Sequence, residues 1–337
     1  MKVTKEELLA AAARVGVSSE QSASMWRELE IEKEHTPGFR PSHVAYYFGA
    51  LIVIGAMGWF MTTAWESLGG WGIAGIAIGY AFMFVLVGHK FWQSPDTHIP
   101  GGLLITIAVC MTPLAVYGIE RALNLWPATA PASFAEFHPY IKACWVIMEL
   151  CTVAVGFIAL LFYEFPFLTA PIAYALWYMS MDVTALIYRN EWRWEDEAVI
   201  SVVFGAAMML VAYFYDRKKS VDYSFWGYFF GAICFWGGLS SMNSNSELSK
   251  FFYLLINLAM IVVAILLGRK IFIVLGSLGV FGYLGHLAYS VFKDSVMFPF
   301  VLSVIGILVI YLGIKYQKNH EQIDNRLRGF FGKTVRA

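Results

Sequence analysis

Long apolar runs follow one another from residue 43 almost to the C-terminus. A helix rising 1.5 Å per residue needs about 20 apolar residues to cross roughly 30 Å of hydrocarbon. We therefore predict an all-α membrane protein of about ten transmembrane helices, arranged as successive hairpins. The predicted spans cover residues 43–64, 71–88, 101–120, 140–163, 167–188, 198–215, 225–241, 249–267, 271–292 and 298–316.

Composition supports a lipid environment. Hydrophobic residues make up 59% of the chain and charged residues 14%, against about 25% charged in a typical soluble domain. Lysines plus arginines equal aspartates plus glutamates, 24 of each, so no strongly basic surface points to nucleic acid. We expect the lipid bilayer to be the main partner, and no nucleic acid.

The distribution of lysine and arginine predicts the orientation. With both termini in the cytoplasm, the inner segments carry 18 basic residues and the outer loops carry 6. Cytoplasmic loops are enriched in lysine and arginine. We predict a multi-pass protein of the inner (plasma) membrane, with both termini cytoplasmic.

Three segments are predicted. Residues 1–42 form a cytoplasmic two-helix segment and linker, in which Thr4 and Ser18 begin capping-box patterns and Gly16 ends the first helix. Residues 43–316 form the transmembrane domain. Residues 317–337 form a basic amphipathic tail suited to an anionic membrane surface. The helical pair is too small to bury a core of its own, so it is a candidate docking site for a protein partner.

Two stretches resemble each other. Residues 47–90 and 228–270 both begin Tyr-Phe, continue through a glycine-rich apolar run and end in Gly-basic-Lys. A duplicated hairpin, as in many transporter folds, explains this pattern, and so does the general likeness of apolar hairpins.

The N-terminal third resembles a group of uncharacterised prokaryotic polytopic membrane proteins that form a domain of unknown function. The matching positions are Gly16, Val17, Ser18, Glu20 and Gln21, followed by the span from Tyr47 to Trp65. This resemblance implies a cytoplasmic helical pair followed by membrane hairpins. It implies no activity, cofactor or catalytic residue.

Ionisable or amide side chains within the spans are the best candidates for function, because such groups are costly in hydrocarbon and usually face the protein interior. Most lie in the outer half of the predicted membrane, on helical faces that also carry tyrosine, threonine or glycine. These candidates are Glu149, Asp182, His286, Asn257, Glu120 and Tyr178. If the faces converge, they line a polar cavity open to the outside. Each group could also serve structure alone, as a neutral, paired or hydrogen-bonded side chain.

Three functions fit these features. The first is a transporter or permease for a small solute or ion, with Glu149 or Asp182 as the proton- or cation-coupled carboxylate. The second is a non-catalytic subunit, sensor or scaffold. The third is a membrane-embedded hydrolase that uses Glu149, Asp182 and His286, although no HExxH, GxSxG or paired-histidine motif occurs. The four cysteines fall in apolar runs, and we expect no cofactor and no metal site.

Overall fold

In the computed structural model, all the regular secondary structure of the described residues is helical. Those residues are 8, 12, 14–18, 20–26, 41–64, 68–125, 145–188, 194–217, 221–242, 246–292, 297, 299–304, 306–307, 310–311, 314–315 and 318. The predicted amphipathic tail lies almost entirely outside them, as does most of the first helix of the N-terminal pair. Nothing in the described residues therefore tests those two predictions.

Ser18 caps the second N-terminal helix, which covers residues 20–26. The Gln21 backbone N–H donates to Ser18 Oγ at 3.2 Å, and the Ser18 N–H donates to Gln21 Oε1 at 3.4 Å. This reciprocal pair is the predicted capping box. Gly16 precedes it with φ +79°, the left-handed conformation that commonly ends a helix at glycine.

Ten helices, α1 to α10 in chain order, are bounded within the described part of the transmembrane domain. They are Pro41–Ala64 (α1), Gly69–Trp92 (α2), His98–Cys110 (α3), Thr112–Ala122 (α4), Trp145–Phe162 (α5), Thr169–Tyr188 (α6), Trp194–Asp216 (α7), Phe225–Ser241 (α8), Glu247–Leu267 (α9) and Lys270–His286 (α10). The helices α3 and α4 together occupy one predicted span. Further helical residues lie at 299–304.

Six helical stretches among the described residues are long and apolar enough to cross a membrane. They are Gly69–Trp92, Pro95–Ala122, Trp145–Phe162, Glu195–Asp216, Glu247–Leu267 and Lys270–Ser290. The chain is thus a helical protein suited to a membrane, and the predicted number of about ten spans is not confirmed. Part of the difference is length, because α8 has 17 residues, which is short for a spanning helix.

Most helices that follow one another in the sequence pack side by side. The closest pairs are α2 with α3 and α4, α5 with α6, α7 with α8, and α9 with α10. These pairs are hairpins of the predicted kind, whereas α1 with α2 and α8 with α9 do not pack closely among the described residues. Contacts of α6 with α7 and α8 join the earlier helices to the later ones.

Two glycine pairs bring α2 against the broken span α3–α4. A Cβ added at Gly118 would lie 2.5 Å from the backbone nitrogen of Ala74, and one added at Gly70 would lie 2.6 Å from the Gly118 carbonyl oxygen. At the other end of α2, a Cβ at Gly101 would lie 2.9 Å from the Gly88 carbonyl oxygen. Such contact requires small residues, as is common between membrane helices. Gly75 and Gly79 of α2 have the four-residue spacing of a packing motif but make no such contact, since a Cβ at either position meets nothing within 4 Å.

The break between α3 and α4 follows from Pro113. Proline has no N–H and its ring clashes with the carbonyl of the preceding turn, so a helix rarely runs through it unbroken. Here α3 ends at Cys110, and α4 restarts at Thr112 with Pro113 in its first turn. Beyond this break, Tyr117 of α4 packs beside Met148 of α5.

A second packed region is formed by α7 to α10. Its buried core contains Tyr228 and Ala232 of α8, Met260 of α9 and Phe272 of α10. Between α9 and α10, Gly268 is left-handed with φ +67°, which turns the chain sharply at Arg269. The packing of these helices fixes the positions of Asn257 on α9 and His286 on α10.

The close packing of α9 against α10 at Gly279 can be tested by substitution. A Cβ at Gly279 would lie 1.9 Å from Asn257 Oδ1, whereas a Cβ at Gly282 meets nothing within 4 Å. We expect Gly279→Ala to destabilise the protein by about 1–3 kcal/mol through overpacking. The matched Gly282→Ala should be neutral or slightly stabilising, because alanine favours a helix over glycine by about 1 kcal/mol. Thermal unfolding in detergent measures both, and equal melting temperatures for the two variants would contradict this packing.

Candidate functional site

A cavity of about 880 Å³ lies between the first helices and α8. Helices α1, α3, α4, α5, α6 and α8 all contribute to its wall. Along α3 and α4 the wall runs from Leu103 to Tyr117, about 21 Å at 1.5 Å per residue. The cavity is therefore elongated along the helices and spans much of a bilayer's hydrocarbon depth.

The cavity wall is mainly apolar and aromatic. At one end stand Tyr47, Phe167 and Trp226, whose rings form a contact chain with centroids 5.5 Å and 5.3 Å apart. At the other end Trp145 stacks on Tyr178 with a centroid distance of 6.2 Å and an angle of 4° between the ring planes. The sequence pattern predicted a polar cavity; leucine, isoleucine and methionine side chains between the polar positions make most of this wall apolar.

Glu149 is the ionisable group at the Trp145 end. It lies one helical turn after Trp145 on α5, lines the cavity and is only 6% exposed. Neither of its carboxyl oxygens has a hydrogen-bond partner among the described residues. Burying a carboxyl group without a partner is costly, so the fold retains Glu149 at the expense of stability.

Asp182 of α6 lies near Glu149. It is 1% exposed, and its charge acts on the Glu149 carboxyl group. Its Oδ2 also lacks a hydrogen-bond partner within the described part of the chain. Glu149 belongs to the cavity wall and Asp182 does not. Asp182 therefore acts on the site through its electrostatic effect on Glu149.

Three hydroxyl groups of the cavity wall, those of Thr106, Tyr117 and Thr152, have hydrogen-bond partners. Thr152 Oγ1 donates to the Met148 carbonyl oxygen at 2.7 Å, and Thr106 Oγ1 donates to that of Gly102 at 2.8 Å. Arg121 Nη1 donates to the Tyr117 hydroxyl at 3.5 Å. Both threonines thus direct their protons to their own helices, and the carboxyl group of Glu149 dominates the electrostatics of its end of the cavity.

The six candidate residues divide between two regions. Glu149 and Tyr178 line the cavity, and Asp182 lies beside Glu149. Glu120 is buried on α4, 5% exposed, and its Oε2 has no hydrogen-bond partner among the described residues. Asn257 and His286 belong to α9 and α10 and are not part of the cavity wall.

Asn257 and His286 make local contacts instead. Trp236 Nε1 donates to Asn257 Oδ1 at 3.1 Å, and Asn257 Nδ2 donates to the Tyr253 carbonyl oxygen at 2.8 Å. With 0% exposure and Gly279 against it, Asn257 ties α8, α9 and α10 together. His286 Nε2 lies 3.1 Å from Glu247 Oε2, which joins the end of α10 to the start of α9.

Two basic residues make polar contacts that the sequence did not predict. His89 Nδ1 lies 3.1 Å from the Tyr163 hydroxyl, and Arg269 forms ion pairs with Asp222 and with Asp216, the latter at 2.9 Å. Hydrogen bonding to Asp222 raises the pKa of Arg269 above its usual value. The proposed repeat contained the signal, because His89 and Arg269 occupy its equivalent Gly-basic-Lys positions.

Each of these basic residues contacts a turn elsewhere in the chain. Tyr163 follows α5, and Asp222 lies between α7 and α8. The guanidinium of Arg269 also lies 5.1 Å from the centroid of the buried Tyr228 ring, a cation–π contact. A smaller cavity of about 470 Å³ borders His89, Trp92 and Tyr163. We assign these contacts a structural role, because they hold separate helices and turns together.

The chain matches no family model, no curated protein and no solved structure. The resemblance of residues 16–65 to uncharacterised prokaryotic membrane proteins stays a prediction. No group of three or more histidine, cysteine, aspartate or glutamate side chains able to hold a metal occurs among the described residues.

Prediction for the buried polar groups. Replacing Glu149 with methionine keeps the length of the side chain and removes an unpartnered carboxyl group. We expect the free energy of unfolding to rise by about 1–3 kcal/mol, the usual cost of an unsatisfied buried group. Asn257→Leu should lower it by a similar amount, because Trp236 Nε1 loses its acceptor.

Thermal unfolding of the two variants in the same detergent tests this contrast. Opposite shifts in melting temperature support the assignment of Asn257 to structure and Glu149 to function. A Glu149→Met variant destabilised as much as Asn257→Leu would show that Glu149 has a structural role.

Proposed function

We propose that this protein is a permease of the inner membrane that carries a small solute through the 880 Å³ cavity, with Glu149 and Asp182 as its coupling carboxyl groups. The observation that carries the proposal is the unpartnered, buried Glu149 in the wall of a cavity that runs along the helices. Pockets for small molecules commonly measure about 300–1,000 Å³ and combine apolar walls with a few polar groups.

The proposal includes ten spans with both ends in the cytoplasm. Besides the six apolar stretches, α1 has 24 residues, α6 has 20 and α8 has 17. The tenth span is residues 298–316, where exposed apolar side chains such as Val304 and Ile307 suit lipid contact. This count agrees with the 18 to 6 division of basic residues, and in it α5 begins at the outer side with Glu149 in the outer half.

Coupling follows from the cost of charge in hydrocarbon. The charge of a carboxyl group in an apolar cavity must be compensated both when the cavity holds a solute and when it is empty, because an uncompensated charge there is costly. A proton, a small cation or a cationic solute can each compensate Glu149. Asp182 stands next to it as a second acceptor and lies outside the cavity wall. Exchange of a proton or cation for the solute is the transport step we propose.

A second candidate is a non-catalytic subunit, sensor or scaffold. One observation favours it: Val15 is 80% exposed and Met25 is 53% exposed in the N-terminal helical segment. Apolar side chains exposed beside a capped helix suit contact with a protein partner. The hydrolase hypothesis lacks such support, since His286 lies 3.1 Å from Glu247, on helices other than those of Glu149 and Asp182.

Prediction for transport. Purified protein in proteoliposomes that contain a pH-sensitive dye should show proton movement when a transported solute is added to the outside. A panel of cationic, neutral and anionic small solutes serves as the probe set. We expect Glu149→Gln to reduce the response at least tenfold, because the amide cannot exchange a proton or pair with a cation.

Glu247→Gln is the matched control. It removes a carboxyl group whose side chain is 58% exposed at the start of α9, outside the cavity wall. Its transport should equal that of the unaltered protein. Proton movement that is the same in Glu149→Gln as in the control, or a complete lack of response to every solute of the panel, would contradict the proposal.

A further inference from the structure

The cavity has two chemically different ends, and this asymmetry defines the kind of molecule that fits. One end is lined by Tyr47, Phe167 and Trp226, which offer ring surfaces. The other end is lined by Glu149, whose two carboxyl oxygens are buried in the wall, together with Trp145 and Tyr178. A ligand that satisfies both ends has an apolar body and a single polar group.

The charge of that polar group follows from what surrounds Glu149. Among the described residues, the charged group that acts on Glu149 is Asp182, which is also acidic. An anionic ligand would be repelled by both carboxyl groups, and a wholly apolar one would leave Glu149 unpaired. A cationic ligand removes this cost by pairing with the carboxylate in a medium of low dielectric constant.

Aromatic rings beside the carboxyl group strengthen the preference for an organic cation. Trp145 precedes Glu149 by one turn on the same helical face, and its stacking partner Tyr178 projects from α6. Cations interact favourably with the faces of such rings, most strongly with tryptophan and where water is excluded. The carboxylate and the rings together form a site for a bulky, weakly hydrated positive group.

An inorganic cation suits this site poorly. Calcium takes about 6–8 oxygen ligands and magnesium about six. Here one carboxyl group lines the cavity, and the other side-chain oxygens of its wall belong to neutral threonine and tyrosine hydroxyl groups. The rest of the wall is apolar, so it offers too few charged oxygens to replace the hydration shell of a small metal ion.

We propose that the cavity binds amphiphilic organic monocations, with the positive group at Glu149 and the apolar body extending toward Phe167 and Trp226. The inference names the solute class of the proposed permease and in that sense rests on the proposed function. Glu149 contacts the ligand directly, and Asp182 acts as a positioning residue that adds negative charge behind it.

Two probes of the same shape and opposite charge test this inference. Tetraphenylphosphonium is a compact aromatic cation, and tetraphenylborate is its anionic counterpart. Equilibrium binding to the full-length protein in lipid nanodiscs, with empty nanodiscs as the blank, should show saturable binding of about one phosphonium ion per chain. Tetraphenylborate should show only the binding of the blank.

Variants link the binding to the carboxyl group. Glu149→Gln should weaken phosphonium binding at least tenfold, Glu149→Asp should retain most of it, and Glu247→Gln should leave it within twofold of the unaltered protein. Melting temperatures establish that each variant is folded. Should Glu149→Gln fail to fold, the contrast between the phosphonium and the borate in the Glu149→Asp protein decides the matter.

The outcomes separate this inference from the proposed function. Equal binding of both probes, or phosphonium binding that Glu149→Gln leaves unchanged, overturns the inference. The permease proposal survives that result if a neutral solute still drives Glu149-dependent proton movement in proteoliposomes. Conversely, Glu149-dependent phosphonium binding without movement of any solute upholds the inference and overturns the permease.

Discussion

The rest of the structure depends on the requirement that every backbone polar group in hydrocarbon find its partner within the chain. That requirement accounts for helices throughout the described residues and for hairpins as the repeating unit. It also makes exceptions informative. Buried polar side chains carry a similar cost when they lack a partner. Asn257 is hydrogen-bonded to Trp236 and Tyr253 and belongs to the framework. Neither carboxyl oxygen of Glu149 has a hydrogen-bond partner within the described structure, and the residue lines a cavity.

The cavity is lined by helices that pack closely at other points. Glycine pairs at Gly70–Gly118 and Gly88–Gly101 bring α2 against α3 and α4 at both ends. On α4, beyond the break at Pro113, Tyr117 packs beside Met148 of α5. In the later helices, Arg269 joins the turn between α9 and α10 to Asp216 and Asp222. The 880 Å³ cavity takes its wall from both packed regions, through α3 to α6 and through α8.

Much of the architecture could be predicted from sequence, because the length of an apolar run and its polar face are local properties. The helix bounds of α1, α2 and α5 to α10 lie close to predicted spans, and Ser18 caps its helix as the pattern indicates. The neighbours of a helical face are not a local property. For that reason Asn257 and His286, at depths similar to that of Glu149, were grouped with it, although their helices pack in the other region. Likewise, Gly75 and Gly79 have the spacing of a packing motif, and the close contacts occur at Gly70 and Gly88 instead.

The central claim, that Glu149 is a carboxyl group facing an apolar cavity, is tested most directly by its reactivity. In native membranes, dicyclohexylcarbodiimide, an apolar reagent, should modify Glu149, as mapped by mass spectrometry of peptides. A water-soluble carbodiimide should modify the exposed Glu247 and leave Glu149 unmodified. If Glu149 resists the apolar reagent, or reacts as readily as Glu247 with the water-soluble one, the carboxyl group does not occupy the position described and the account fails.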